Sequence, residues 1–324
     1  MPRQLSAPPA TLALLVPAAL LLGGCSLRGM AVRAAADALA GSGTVYASDP
    51  DPELVGEALP FALKTMESLL AQDPGHQGLL LATAQGFTQY AYGWVQLPAE
   101  RLAEEDYERS QQLGRRALDL FLRARDYALR GLEADHPGIG DALRRDPEAA
   151  VARLGEEDLP LAYWAGLSWG AAMGVGKDRP ELLADFPAVR ALLARVLALD
   201  EGYEEGAVHE AFIAIEAGSR LFGGTLEAAE EHFRRAVELS RGRRAGPYVT
   251  YAQAVAVPRQ DRDAYLDMLE RALAVDVDAA PEHRLANVLA QRKAVWLRLR
   301  VDDYFLGAAG DDEAGAATAT EDAR

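Results

Sequence analysis

Residues 63–75, LKTMESLLAQDPG, join an apolar helical stripe to an acidic turn that contains proline and glycine. The apolar positions that share one helix face are Leu63, Met66, Leu69 and Leu70. Asp73-Pro74-Gly75 then has the composition of a helix stop. Four later segments have the same form, with large apolar residues three or four positions apart before a polar turn. They are residues 127–138, 192–203, 233–242 and 269–279. The pattern predicts a chain of amphipathic helices.

The composition also favours helices. Alanine, leucine, glutamate and arginine dominate, and all four are good helix formers. No stretch shows the alternation of a strand bounded by turns. The turn residues that align between the segments are Asp73, Asp135, Asp200, Ser240 and Asp276. The last two intervals, 40 and 36 residues, suit helical-hairpin repeats of the tetratricopeptide class, and the longer intervals suit the same unit with insertions. We predict an all-α fold, a helical-hairpin (tetratricopeptide-like) repeat solenoid with long insertions.

The charge balance and the scarcity of reactive residues exclude several classes of protein. The chain has 324 residues, of which 33 are Lys or Arg and 49 are Asp or Glu, for a formal net charge of −16. Such acidity argues against binding nucleic acid. One cysteine excludes an intramolecular disulfide and a cysteine-based metal site, and none of the five histidines stands three or four residues from another. We predict no catalytic residue, no metal site and no cofactor, so the protein is not expected to be an enzyme.

The first residues have the order of a bacterial export signal. Arg3 precedes an apolar stretch over residues 10–22, which is shorter than the ~20 residues of a membrane-spanning helix. Leu22-Gly23-Gly24-Cys25 then resembles the lipobox of bacterial lipoproteins. That resemblance implies cleavage before Cys25 and attachment of acyl chains, palmitate among them, which together give firm membrane anchoring. The alternative is an ordinary signal peptide followed by an incidental cysteine.

These features divide the chain into three parts. We predict a lipoprotein signal peptide over residues 1–24, the helical repeat domain over residues 25–306, and a disordered acidic tail over residues 307–324. Ser26 follows the cysteine, and by resemblance to lipoprotein sorting in Gram-negative bacteria a residue other than Asp there indicates the outer membrane. The predicted location is therefore the periplasmic side of the outer membrane, with lipid on Cys25 as the membrane contact.

Aromatic residues cluster beside glycines on two predicted helices, and two more tyrosines lie at the start of a third. Glycine within a helix costs about 1 kcal/mol relative to alanine, so close helix packing or a ligand must offset that cost. One interpretation is a core in which bulky side chains fill space beside glycines. The other is an aromatic-lined cleft or channel for an apolar ligand. The candidate lining residues are Tyr90, Trp94, Tyr163, Trp164, Trp169, Tyr248, Tyr251 and Asn287.

Asn287 lies in an apolar stripe of the last predicted helix, beside Leu285, Val288 and Leu289. A polar amide among apolar neighbours needs hydrogen-bond partners when it is buried. A capping or interhelical hydrogen bond and a contact with a ligand both satisfy that need, and the sequence leaves the two open.

Three long segments carry a family resemblance. They are residues 61–96, FALKTMESLLAQDPGHQGLLLATAQGFTQYAYGWVQ, residues 163–212, which begin YWAGLSWGAAMGVGKD, and residues 246–294, which begin GPYVTYAQAVAVPRQD. Together with the lipobox they resemble the T component of tripartite ATP-independent periplasmic (TRAP) transporters, the TatT lipoproteins. The resemblance covers residues 22–306.

The resemblance implies an α-helical, tetratricopeptide-like fold, a homotrimer, and a cleft or pore through each protomer. It also implies pairing with the periplasmic solute-binding protein, the P component, and it supplies no established catalytic or ligand residue. The predicted function is thus an accessory lipoprotein that binds this partner and passes an apolar ligand through an aromatic-lined channel. The alternative is an outer-membrane tetratricopeptide-like scaffold lipoprotein for protein assembly, which gene neighbourhood would distinguish.

Overall fold

The computed structural model describes residues 29–219 and 223–306, and within these ranges every regular element is helical. Helices α1 to α8 are 29–40, Gly43–Ala47, Pro52–Leu70, Gln77–Ala91, Leu97–Leu102, Tyr107–Asp135, Ile139–Arg145 and Pro147–Val151. Helices α9 to α17 are Leu159–Val175, Pro180–Leu183, Phe186–Leu199, Ala207–Gly218, Leu226–Leu239, Gly246–Tyr251, Val257–Arg259, Arg262–Ala274 and Arg284–Leu299. The predicted all-α class is confirmed. The predicted signal peptide, Cys25 and the acidic tail lie outside the described residues.

The predicted helix stops coincide with observed helix ends. Helix α3 ends at Leu70, before Asp73-Pro74-Gly75, and α6 and α11 end at Asp135 and Leu199, before their own predicted stops. Side-chain caps fix several starts in the same way. Asp51 accepts a 3.1 Å hydrogen bond from the backbone N–H of Leu54 at the start of α3, which satisfies a donor that the helix leaves unpaired.

The polar stretch 138–159 is more regular than its sequence indicates. Its broken pattern predicts an irregular connection with one short helix, whereas the structure has two, α7 and α8. Ile139 and Leu143 on α7 are completely buried, so tertiary packing supplies the stability that local sequence lacks. Asp146 caps α8 by accepting a 3.1 Å hydrogen bond from the N–H of Ala149.

Successive long helices pack against one another along the chain. The packed pairs are α3 with α4, α4 with α6, α6 with α9, α9 with α11, α12 with α13, and α16 with α17. The largest apolar cluster draws residues from α4 to α12, and a second draws residues from α12 to the segment after α17. The predicted apolar stripes therefore serve as packing faces.

A glycine allows α9 and α11 to approach closely. A Cβ atom added to Gly166 would lie 2.8 Å from Cγ of Leu193, whose side chain is almost completely buried. Gly174, the penultimate residue of the same helix, has nothing within 4 Å of such an atom. The aromatic-rich helix therefore carries at least one glycine for packing rather than for flexibility.

Two π-helical turns, Tyr92–Gln96 and Ala252–Ala256, interrupt the helical segments α4–α5 and α14–α15. Each is followed two residues later by a proline, Pro98 or Pro258. Proline has no N–H to donate to the preceding turn, and its ring clashes with the carbonyl four residues earlier. A widened turn at this point relieves both problems without ending the helix.

The C-terminal helix packs on the N-terminal hairpin. Leu285 of α17 joins Val55 and Leu59 of α3 in a buried apolar cluster. On the rim of this contact Arg292 forms an ion pair with Glu53. Arg284 donates a 2.7 Å hydrogen bond to the carbonyl of Ser48. These contacts bring α17, the last long helix, against α3. The two ends of an open stack of hairpins would not be in contact.

We expect Gly166→Ala to lower the free energy of unfolding by about 1–3 kcal/mol, because overpacking against Leu193 exceeds the gain in helix propensity. Gly174→Ala in the same helix is the matched control and should raise stability by up to about 1 kcal/mol. Urea unfolding followed by circular dichroism measures both. Equal stabilisation by the two substitutions would contradict the close approach of α9 and α11.

Candidate functional site

Tyr90 and Trp94 lie together where α4 passes into its π-helical turn. Their rings stack with centroids 6.2 Å apart. The indole Nε1 of Trp94 donates a 3.0 Å hydrogen bond to the carbonyl of Pro52, and Gly56 leaves room for the indole ring. Arg116 donates a 3.2 Å hydrogen bond to the hydroxyl of Tyr90. The pair thus connects α4 with α3 and α6.

The three predicted aromatic residues of α9 have different surroundings. Tyr163 is buried and packs edge-to-face on Trp164 and on Tyr203, with centroids 5.2 and 5.3 Å apart. Trp169 is completely buried, and the guanidinium groups of Arg125 and Arg144 lie 5.1 and 5.4 Å from its ring. Such cation–π contacts stabilise a core position.

Tyr248 and Tyr251 form a third group with Phe233 of α13. The ring centroids of the two tyrosines lie 5.7 and 4.5 Å from that of Phe233. Burial is the main cause that raises the pKa of both phenols. The predicted aromatic residues therefore fall into three groups, each with its own contacts. Their role in binding a ligand stays a prediction.

Asn287 forms hydrogen bonds to another segment of the chain, one of the two alternatives that its position in the sequence left open. Its side-chain Oδ1 accepts a 2.8 Å hydrogen bond from the N–H of Ala245, and Nδ2 donates one of 2.8 Å to the carbonyl of Arg243. The residue is buried. Asn287 thereby fixes the start of α17 to the segment that precedes α14.

The structure also brings together a set of polar residues that the sequence did not single out. The ammonium group of Lys293 on α17 is buried, 3.1 Å from Oε2 of Glu100 and 5.8 Å from the ring centroid of Tyr92. Burial lowers the pKa of the Lys293 amine, but the interactions with Tyr92 and Glu100 outweigh the effect of burial. The pKa is therefore raised. A buried charge needs such a partner.

A second ion pair lies in the same region. Arg244 and Glu210 are 2.9 Å apart, and both side chains are mostly buried. Burial raises the pKa of Tyr92 and of Tyr163, and the negative charge of Glu210 adds to the increase at both phenols. Glu210 is therefore close enough to influence tyrosines on two different helices. We call this set the central polar cluster. Its members are Tyr92, Glu100, Tyr163, Glu210, Arg244 and Lys293.

Tyr92 is the accessible member of the central polar cluster. The residue is 36% exposed to solvent. The surrounding protein nevertheless desolvates its phenol, and this burial is the main cause that raises its pKa. In the sequence, this region is indicated by Lys293, a charged residue on the apolar helix face formed by Ala290, Ala294 and Leu297.

Two histidines that are remote in sequence share a partly buried site between α12 and α13. Nδ1 of His209 lies 2.8 Å from Nδ1 of His232, and Nε2 of His209 lies 3.2 Å from Oε1 of Glu201. Phe212 stacks on His232 with centroids 4.8 Å apart. Burial lowers the pKa of both imidazoles, to about 4 for His232, where His209 and Arg190 add to the effect.

A cluster of potential metal ligands is also present. Glu205, Glu282 and His283 each offer one ligand atom, and these atoms all lie within 4.8 Å of one another. Histidine spacing along single helices does not indicate this cluster, because its members come from two separate turns. Among the described helices none is both long and apolar enough to cross a membrane.

Comparison with known proteins shows the family. The model of the TRAP transporter T-component family matches residues 48–305, and the chain belongs to this family. It is also 33% identical to an uncharacterised protein of Treponema pallidum (strain Nichols) over 269 residues, which are 81% of this chain and 83% of that protein. The family resemblance found in the sequence is thus confirmed. The T component is an accessory part of TRAP transporters and not a known class of enzyme.

The histidine pair predicts a pH dependence of stability. Because the pKa of His232 is lower in the folded state than its usual value of 6.5, the unfolded chain binds more protons between pH 6.5 and about 4. The free energy of unfolding should therefore fall as the pH decreases from 6.5 to 5, and His232→Gln should flatten this slope in urea titrations. Phe212→Leu keeps both imidazoles and should retain the slope. Identical slopes in the parent and in His232→Gln would refute the assignment.

Proposed function

We propose that this protein is a lipid-anchored, periplasm-facing accessory subunit of a TRAP-type transport system. It binds the periplasmic solute-binding protein and guides an apolar ligand through an internal channel. The observation that supports the channel is the 36% exposure of Tyr92, whose ring lies 5.8 Å from the buried ammonium group of Lys293. Membership of the T-component family supports the transport role.

The arrangement of the helices supports the proposed channel. The hairpins are a degenerate tetratricopeptide-like stack, and α17 closes this stack by packing on α3. In this proposal the channel runs between the π-helical turn after α4 and helices α9, α12 and α17, which carry Tyr92, Tyr163, Glu210 and Lys293. A closed array can enclose such a space, whereas an open array presents a groove.

The lining has a mixed chemistry. Tyr163, Trp164 and Tyr203 provide aromatic surface, and Trp164 is only partly buried. The two ion pairs, Lys293–Glu100 and Arg244–Glu210, are each internally neutralised. The aromatic rings can contact an apolar ligand. Each ion pair is neutral overall, so the lining does not favour a ligand of either charge.

Anchoring through Cys25 places the N-terminal helices beside the membrane. Cys25 stands four residues before the first described helical residue, so even a fully extended connection spans at most about 14 Å. Met30 and Val45 of α1 and α2 are exposed apolar side chains in this N-terminal part of the chain. The protein then faces the periplasm from the outer membrane and assembles as a homotrimer.

Partnership is tested with the periplasmic solute-binding protein of the same TRAP system. The two purified proteins should form a complex at about 50 µM in sedimentation velocity experiments, a concentration at which even a weak transient contact is populated. The same experiment reports whether the accessory protein alone sediments as a trimer. An intact assembly that shows no complex at this concentration would exclude the partnership.

Ligand binding is tested with the neutral dye N-phenyl-1-naphthylamine. Trp164→Leu should weaken dye binding about tenfold, equivalent to ~1.4 kcal/mol, because it removes aromatic surface from the channel. Trp296→Leu is the matched control, since Trp296 packs in the C-terminal cluster under Arg300, and should leave the affinity unchanged. Unchanged dye binding in Trp164→Leu, or a loss of stability above about 3 kcal/mol, would identify Trp164 as a core residue.

A further inference from the structure

Glu205, Glu282 and His283 meet where two short turns face each other. Glu205 ends the turn Tyr203–Glu205 before α12, and the other two residues belong to the turn Pro281–His283 that leads into α17. One carboxylate oxygen of each glutamate and one ring nitrogen of the histidine lie within 4.8 Å of one another. Tertiary packing rather than local spacing therefore creates the cluster.

The imidazole of His283 is buried and aimed at this cluster. Only 9% of the residue is exposed, and Nε2 has no hydrogen-bond partner among the described residues. Oε2 of Glu205 lies 3.2 Å away, within ion-pair distance, but it too is buried and neither atom forms a hydrogen bond. A buried nitrogen and a buried carboxylate oxygen that face each other without a hydrogen bond are uncommon and call for an explanation.

The charges around the cluster favour a cation. Arg243 pairs with Oε1 of Glu205 and leaves Oε2 free of that contact. Glu282 is exposed and makes no ion pair within the described ranges. Two carboxylates beside one guanidinium leave a net negative charge, which a divalent cation would neutralise.

The distances fit a tetrahedral transition metal. Zinc binds imidazole nitrogen and carboxylate oxygen at about 2.0–2.2 Å, so two ligands of one tetrahedral ion lie roughly 3.3 Å apart. The 3.2 Å between Nε2 of His283 and Oε2 of Glu205 matches this separation. The remaining carboxylate, on the exposed side chain of Glu282, can adjust by rotation. A mixed nitrogen and oxygen donor set favours zinc over magnesium or calcium.

We propose that Glu205, Glu282 and His283 bind one Zn²⁺ ion, with water as the fourth ligand. The site joins the connection between α11 and α12 to the start of α17. Four residues further along α17, Asn287 holds the segment before α14, which carries Arg243. A bound ion therefore reinforces the part of the chain that positions α17 for its contact with α3.

The test uses the full-length protein, freed of metal with a chelator and titrated with ZnCl₂ by isothermal calorimetry. The expected result is one saturable site per chain and a rise in the thermal unfolding midpoint when Zn²⁺ is added. Glu282→Gln should weaken Zn²⁺ binding at least tenfold and remove the thermal shift. Because Glu282 is exposed, this substitution should leave the midpoint of the metal-free protein unchanged. His283→Gln should have the same effect on binding.

His76→Gln is the matched control, since His76 lies beside another carboxylate, Asp37, at 3.1 Å. It should retain both the affinity and the thermal shift. Three results would overturn the proposal. They are the absence of saturable binding, full Zn²⁺ affinity in Glu282→Gln, and loss of the site in His76→Gln, which would assign binding to another histidine.

Discussion

The packing of α17 on α3 is the contact on which the arrangement of the other helices depends. Fully burying a leucine side chain contributes about 1.5–3 kcal/mol, so Leu285 between Val55 and Leu59 provides most of the stabilisation. The neighbouring ion pair of Arg292 and Glu53 is exposed, and such pairs contribute only about 0–1 kcal/mol. The apolar contact therefore holds the chain ends together, while the ion pair helps to set their register.

That register brings a buried charge to its partner. Lys293 lies two turns along α17 from Leu285 and can be buried only because Glu100 of α5 lies within 3.1 Å. Breaking one half of a buried pair leaves an uncompensated charge, which disfavours any sliding of α17 along α4 and α5. The closing contact and the central polar cluster thus reinforce each other. The contact with α3 holds α17 against the N-terminal hairpin. The ion pair of Lys293 with Glu100 forms at only one position of α17 along its axis.

Local features of the fold could be predicted from the sequence, and features that join distant segments could not. The stripe ending at Leu70 and the stop at Asp73-Pro74-Gly75 depend on neighbouring residues alone, and both were correct. Lys293 and Glu100 are separated by most of the chain, and nothing in either local sequence identifies the other. Glu205 and His283 likewise have no local sequence signal that identifies the other. The aromatic residues were identifiable, but their division into three groups depends on which helices meet.

The two π-helical turns depend on a local feature of the sequence, a following proline, and they also take part in contacts between distant segments. Each follows an α-helical segment with a tyrosine in its last two residues and precedes a proline, although the two stretches share little other sequence. Because Pro98 cannot donate to the preceding turn, the helix widens there, and the side chains before it are displaced from their regular positions. Tyr92 begins that widened turn and is the accessible residue of the central polar cluster. A proline that is a purely local feature of the sequence therefore accompanies the widened turn that presents Tyr92 to Lys293, 5.8 Å from the ring centroid.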